Sequence, residues 1–440
     1  MTVFRRCSGN GSGLTMQTIS AQKRISWDFL IELSLVLFIC MSPLNWIFGK
    51  ALSYFGLRAY ARTVCILLTY LPLAIVIFRN PGRFPIDALF VFLFLVAYLG
   101  ITLFLHPEYE YFYKRETYGV WDYVLRPDNG LYAYLFLRLQ KDPDRLLKTL
   151  RVCAYIMLAY SLYRLVAALN RGYWVISVNP DGSEFRMSYN LSFGYDTLLY
   201  ALITLYAALK EKRAVDWIFF AGAVIMIFLG GSRGPILDIG IFYLIYVTFG
   251  MRKTKNKAVK ILFFVIIAAL LVISYQWLLS LLESMVSSLG INSRFIKKLI
   301  SGALADDSGR EPIWNAAIEM IRTNPLGYGA MGTRHVIYHY VDVGHPHSIV
   351  LEILVDTGVI PGTLILIGMI VRSVQIFRMH ARSKWAGIYL IFFAASCQLL
   401  LSGTLWHRMA IWAAAGISVN IALEQRTQRR LLSNGGQQNQ

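Results

Sequence analysis

The stretch PIDALFVFLFLVAYLGITLFL, residues 85–105, holds one acid and no base. About 20 apolar residues in helical conformation span a bilayer's hydrocarbon core, so this stretch reads as a membrane span. Similar runs lie near 27–48, 61–78, 119–138, 150–169, 191–209, 215–230, 235–250, 261–280, 348–372, 387–403 and 409–424. The run at 119–138 is interrupted by Arg126, Pro127, Asp128 and Gly130 and reads as a broken or re-entrant helix. Composition agrees: 56% of the 440 residues are hydrophobic and 15% charged, against about 45–50% and 25% in soluble domains. A soluble globule, a coiled coil, a collagen and a disordered chain are excluded. The expected fold is an all-α polytopic membrane protein with about twelve transmembrane helices and one large extracytoplasmic helical loop.

The formal charge of +18 is concentrated in short connections. Arg5, Arg6, Lys23 and Arg24 precede the first run. Arg79 and Arg83, then Arg138 to Arg151, Lys210 to Arg213, Arg252 to Lys260, Arg378 to Lys384 and Arg426 to Arg430 follow. If the twelve runs alternate, all these groups share one side, which the positive-inside rule makes the cytoplasm. Lys50, Lys114 and Arg115 fall on the other side. The reading is a multi-pass membrane protein with both termini inside. Its basic charge serves topology and membrane lipids rather than nucleic acid. The layout is a cytoplasmic tail at 1–26, nine spans in 27–280, an outer loop at 281–347, three spans in 348–424 and a cytoplasmic tail at 425–440. No cleavable signal is evident. Cys7, Cys40, Cys65, Cys153 and Cys397 form no CxxC, and four lie in apolar runs, as small buried residues do. No repeat of the kind that marks many transporters is visible.

A loop as long as 281–347 usually carries function. In it, Ser308 and Glu311 fit a capping box, Pro312 is tolerated in a first turn, and Ile313, Trp314, Ala317, Ile318 and Ile321 have helical spacing up to Asn324-Pro325. Arg310 therefore opens a helix, where free N–H groups favour an anion. Its planar fork suits phosphate, though an ion pair with Asp306 or Asp307 is an equal reading. Gly327 to Gly332 lacks the Lys of a P-loop and reads as a flexible connector. His335 and His339 share an i, i+4 face, but no HExxH and no nearby Cys supports zinc, so no metal and no cofactor is expected. His345-Pro346-His347-Ser348 stands just before a span, where a His of near-neutral pKa suits a general base or is simply interfacial. Between two spans, Gly230-Gly231-Ser232-Arg233-Gly234-Pro235 outlines a second anion site, unless Arg233 only snorkels. Tyr109, Tyr111, Tyr113 and Tyr118 read as an interfacial aromatic belt rather than a sugar platform.

Three of these elements, in this order, resemble the bacterial O-antigen ligase and O-antigen polymerase superfamily. They are Gly231-Ser232-Arg233-Gly234, then Gly309-Arg310 with Trp314 and Asn324 to Gly329, and then His345 to Ser348 with Leu351, Glu352 and Gly358. The resemblance covers about 190–375 by motif. Pro361 departs from it where a Gly is usual, with Gly362 next.

The resemblance implies a GT-C-like fold and metal-independent transfer of a glycan from undecaprenyl diphosphate at the outer face of the cytoplasmic membrane. It assigns Arg233 and Arg310 to the diphosphate and His347 to general-base catalysis, with His345 as an alternative base. Arg186, Tyr189, Arg334 and Trp314 are secondary substrate-binding candidates. Two arginines neutralise the leaving group, and a base takes the proton of the attacking acceptor hydroxyl, which implies inversion. The acceptor is another glycan if the protein polymerises repeat units of O-antigen, capsule or exopolysaccharide. It is lipid A core if the protein is a ligase making lipopolysaccharide. Tyr189 to Tyr195 is more similar to polymerases. A chain-length regulator is a candidate partner. A polysaccharide transporter is the third reading, disfavoured by the few ionisable residues in mid-span.

Overall fold

The computed structural model describes residues 26–178, 183–187, 190, 192–230, 232, 234–250, 310–339, 344–379 and 383–437, with isolated positions between 262 and 284. Helices dominate. Five are long and apolar enough to cross a bilayer: Arg58–Arg79, Ile86–Leu105, Pro143–Arg171, Ser192–Glu211 and Val359–Arg378. The pair α1 (Trp27–Ile39) and α2 (Met41–Ser53) makes a sixth if counted as one, although it bends by 75°. The described residues thus supply five or six candidate spans where the sequence suggests twelve. The difference has visible sources. The apolar helices α9 (Ala214–Leu229) and α10 (Gly234–Ile245) are short. Residues 119–138 are a π-turn at Trp121–Leu125, a bend, and α6 (Tyr132–Arg138), so that run is broken as expected. The run at 261–280 falls almost wholly outside the described residues. A small antiparallel hairpin, β1 (Trp174–Val178) with β2 (Glu184–Met187), departs from the all-helical expectation.

The core is built around α8 (Ser192–Glu211), buried along nearly its whole length. It packs against α7 (Pro143–Arg171), α9 and α15 (Lys384–Ser396). Its buried hydroxyls are satisfied within the helix, Thr197 donating to the Phe193 carbonyl at 2.8 Å and Thr204 to that of Tyr200 at 3.1 Å. Cys40, Cys65 and Cys153 are free and buried, as their apolar surroundings suggest. A Cβ on Gly387 would overlap the Tyr206 hydroxyl, so α15 reaches α8 only because this position has no side chain. Gly387→Val is expected to cost about 1–3 kcal/mol by overpacking. A lower melting midpoint in detergent checks it; an unchanged midpoint would mean that the two helices separate freely.

Among the described residues, basic side chains from four of the groups that the sequence places on one side meet at one end of the helices. Arg83 pairs with Asp28 at 2.5 Å and Arg145 with Glu32 at 2.7 Å. Lys210 reaches Asp144 at 3.2 Å, and Lys384 pairs with the same carboxylate. Arg151 pairs with Glu211 at 2.5 Å. Arg138, nearly buried, holds Asp87 at 2.7 Å, and Tyr134 donates to the same carboxylate at 2.8 Å. Asp142 caps α7 by accepting from the Asp144 and Arg145 amides. From this end, the 20 residues of α8 rise about 30 Å to Ser192. The functional candidates gather at that opposite end.

Candidate active site

Four segments converge beyond the N-terminal end of α8. The first is α11 (Arg310–Thr323), which begins at Arg310 with Pro312 in its first turn. Ile313, Ala317 and Met320 bury one face against Ile337 and Val355. Asn324 ends the helix through its side chain, accepting from the Leu326 amide at 3.2 Å and donating to the Gly327 carbonyl at 2.8 Å. Trp314, one turn after Arg310, donates its indole N–H to the Pro346 carbonyl at 3.0 Å. Its visible work is therefore to fasten the histidine segment to this helix. Asp306 and Asp307, offered as ion-pair partners of Arg310, lie outside the described residues.

The second segment is the Gly-rich turn, and it is not a flexible connector. The Tyr328 and Gly329 amides donate to the Val355 and Asp356 carbonyls at 2.8 and 2.9 Å, and Val359 donates back to Pro325 at 2.9 Å. Val355 and Asp356 belong to α13 (Ile349–Thr357). Gly327 and Gly358 approach so closely that a Cβ on either would overlap the other strand's backbone, and both have φ above +80°. Only glycine fits that pair of conformations at that distance. The Ala330 amide is bound by Thr102 Oγ1 at 2.9 Å, and the Ala330 carbonyl accepts from the Tyr113 hydroxyl at 2.5 Å. Tyr109 and Tyr113 are consequently buried beneath this turn rather than forming an aromatic belt, whereas Tyr111 stays exposed. His335 and His339 do not share a helix face, because α12 is only Arg334–Ile337. His335 packs on Tyr109 and Phe112 instead.

The third segment is Gly344 to Ser348. His345 is buried, with its ring centroid 4.3 Å from that of His347. His347 has φ +53°, an uncommon conformation for a side chain of this size. Such outliers persist where surrounding contacts impose them, and they cluster at functional sites. The Gly403 amide points at His347 Nδ1 from 3.5 Å, the outer limit of a hydrogen bond. Burial pushes the His347 pKa down to about 4, and the Arg310 and Arg408 guanidinium groups add to the depression. The imidazole is therefore neutral at physiological pH and able to accept a proton.

The fourth segment, 401–408, is the one that sequence reasoning missed. Two buried carboxylates of α13 hold it. Glu352 accepts from the Thr404 hydroxyl and, at 3.0 Å, from the Leu405 amide. Asp356 accepts from the Trp406 indole at 3.3 Å. Gly130 of the broken helix packs directly on the backbone of 407–409. The loop thereby sets the Gly403 amide at His347 and delivers Arg408, which pairs with Asp196 of α8 at 3.2 Å. Its signal was available: an arginine between two runs, on the side where arginines are scarce.

Tyr195 ties the cluster to the Gly-Ser-Arg-Gly turn. Its hydroxyl hydrogen-bonds Ser232, and it lies within the field of Arg310 and Arg408. A Cβ on Gly234 would overlap that hydroxyl, and one on Gly194 would stand 2.6 Å from the Ser232 Cβ. Arg233 and Tyr189 themselves lie outside the described residues.

Arg334 is buried with its guanidinium 4.7 Å from the Tyr123 ring centroid, and burial lowers its pKa to about 10 despite the Glu352 and Asp356 carboxylates. Its Cγ lies 3.1 Å from where a Cβ on Gly344 would stand, next to the histidine segment. Arg186 is exposed on the hairpin, paired with Glu184 at 3.1 Å and stacked 4.6 Å over Tyr173. Pro361 falls in the first turn of α14 (Val359–Arg378), where it is tolerated; at Gly362 an added Cβ would stand 3.0 Å from Leu354 Cδ2, so the close helix contact is made there.

No curated protein and no solved structure matches the chain. Residues 218–367 match the family model described as O-Antigen ligase. That stretch runs from α9 through the Gly-Ser-Arg-Gly turn, Arg310 and the Gly-rich turn to His347 and α13. Over these residues, about a third of the chain, the protein is similar to the O-antigen ligase family, which supports the resemblance to the O-antigen ligase and polymerase superfamily.

Proposed function

We propose that the protein is a metal-independent, inverting membrane glycosyltransferase of GT-C-like architecture. It takes a glycan from undecaprenyl diphosphate and joins it to an acceptor sugar at the outer face of the bacterial cytoplasmic membrane, both termini lying inside. The observation that carries this reading is the meeting of Arg310, Arg408 and a neutral His347 at one end of α8, with the paired basic residues at the other. A cation cluster at an interface suits an anionic leaving group whose lipid tail stays in the bilayer. It does not suit transport, which uses ionisable groups in mid-membrane.

In the proposed step, Arg310 and Arg233 bind the diphosphate oxygens. The acceptor hydroxyl attacks the anomeric carbon from the opposite face, and His347 accepts its proton. The bond from the anomeric carbon to the phosphate oxygen breaks, and the electron pair leaves on the diphosphate, whose added charge the guanidinium groups stabilise. Burial of His345 beside His347 makes it a support for the base rather than the base itself. The catalytic loop is assigned to 281–347, completed by 401–408.

Polymerisation of repeat units is the favoured reaction, on the segment Tyr189 to Tyr195. Ligation to lipid A core is the second reading, favoured by the description of the matched family model. Surface glycans of a host lacking this gene distinguish them. Single unpolymerised repeats identify a polymerase; long glycan retained on undecaprenyl diphosphate with bare lipid A core identifies a ligase. Unchanged glycans would overturn both.

A further inference from the structure

Arg408 and Asp196 form a pair that structural need alone does not explain. The side chains are 21% and 42% exposed, at the mouth of the cluster rather than inside it. Exposed pairs of this kind contribute little to stability. Asp196 directly follows Tyr195, whose hydroxyl packs on the Gly-Ser-Arg-Gly turn. Behind it, Arg164 lies 4.0 Å from the second carboxylate oxygen. Arg408 folds over Gly403, with Nε 3.0 Å from where a Cβ would stand, and the Gly403 amide faces His347. Arg408 and Arg310 thus both stand close to the proposed base.

We propose that Arg408 is a further guanidinium for the donor's diphosphate, held on Asp196 in the free protein and exchanged onto a phosphate oxygen when the donor binds. This rests on the transferase reading above. The diphosphate competes with a half-exposed carboxylate because it carries two negative charges against one, while its oxygens accept the same bidentate fork. Arg164 keeps Asp196 compensated after the exchange, so no carboxylate is left alone. Asp196 is then a positioning residue that holds Arg408 at the mouth of the cluster until the donor arrives. The exchange also links the two halves of the reaction: once phosphate neutralises Arg310 and Arg408, the field that opposes protonation of His347 falls away, and the base strengthens when it is needed.

The test uses the full chain in nanodiscs, with undecaprenyl-diphosphate-linked glycan as donor and inorganic pyrophosphate as competing probe. Arg408→Ala is expected to raise the donor KM and the pyrophosphate inhibition constant about 10- to 100-fold, the weight of one charge-assisted hydrogen bond. Arg408→Lys is expected to recover part of that loss. Asp196→Asn removes the competitor, so donor KM should fall or hold. If only the lipid-linked donor responds and pyrophosphate does not, Arg408 reads the lipid or sugar and the assignment to phosphate fails. A higher donor KM in Asp196→Asn, or an unchanged KM in both Arg408 variants, overturns the exchange. Should Arg408→Ala not fold, Arg408→Lys and Asp196→Asn decide alone. Active His347→Ala would defeat the transferase reading itself; inactive His347→Ala with normal KM in the Arg408 variants would defeat only this inference.

Discussion

Replacing His347 with Ala is expected to reduce glycan transfer by about 10²- to 10⁴-fold, the range for removal of a general base, with the detergent-solubilised protein still folded. The backbone there has φ +53°, which Ala adopts at a cost of about 1–2 kcal/mol. Asn tolerates that region better, so His347→Asn provides a second inactive variant without the strain. Transfer retained by both would remove His347 from the mechanism. Transfer lost in His345→Ala but kept in both His347 variants would move the base to its neighbour.

Arg310→Gln carries the second large effect. It opens α11 and lies within the field of both His347 and Tyr195, so its loss should weaken donor binding and leaving-group stabilisation together. A fall in kcat/KM of about 10²- to 10³-fold is expected, comparable to losing one oxyanion-hole donor. The pH profile supplies an independent reading. A general base works only in its unprotonated form, so kcat/KM of the wild type should decline as pH falls through about 4. Arg310 lowers that pKa, so Arg310→Gln should move the acid limb to higher pH. An acid limb near 6.5 in the wild type would show that neither burial nor the charges act on the imidazole, and a limb unmoved by the substitution would show that Arg310 does not.

Much of this architecture was visible in the sequence, for identifiable reasons. Apolar length and charge placement reveal membrane helices because the bilayer penalises everything else, and the predicted grouping of Arg83, Arg138, Arg145 and Lys210 at one end is what the ion pairs display. Arg310 was readable as a helix opener because Pro312 and Asn324 are local signals. The His345 and His347 pair was readable because a spacing of two around Pro346 keeps the two residues in one short segment before a span.

Other features depend on contacts far apart in the chain. The Gly-rich turn looks loose until α13 and Thr102 are brought against it, and the same packing buries Tyr109 and Tyr113, which composition alone assigns to an interface. The segment 401–408 has no motif; it becomes a wall of the site only because Glu352 and Asp356, some fifty residues earlier, fix its amides and hydroxyl. The 75° bend between α1 and α2 coincides with Pro43, which has no N–H to donate back to the end of α1, a local signal that hydropathy alone passes over.

The central claim is that one chain breaks the bond between a glycan and its lipid diphosphate and inverts the anomeric centre. Purified full-length protein in nanodiscs, given a lipid-diphosphate-linked oligosaccharide and an acceptor sugar, tests this most directly. The account predicts release of undecaprenyl diphosphate in step with a product of inverted anomeric configuration. Retained configuration, or movement of intact donor across the membrane with no diphosphate released, would contradict it.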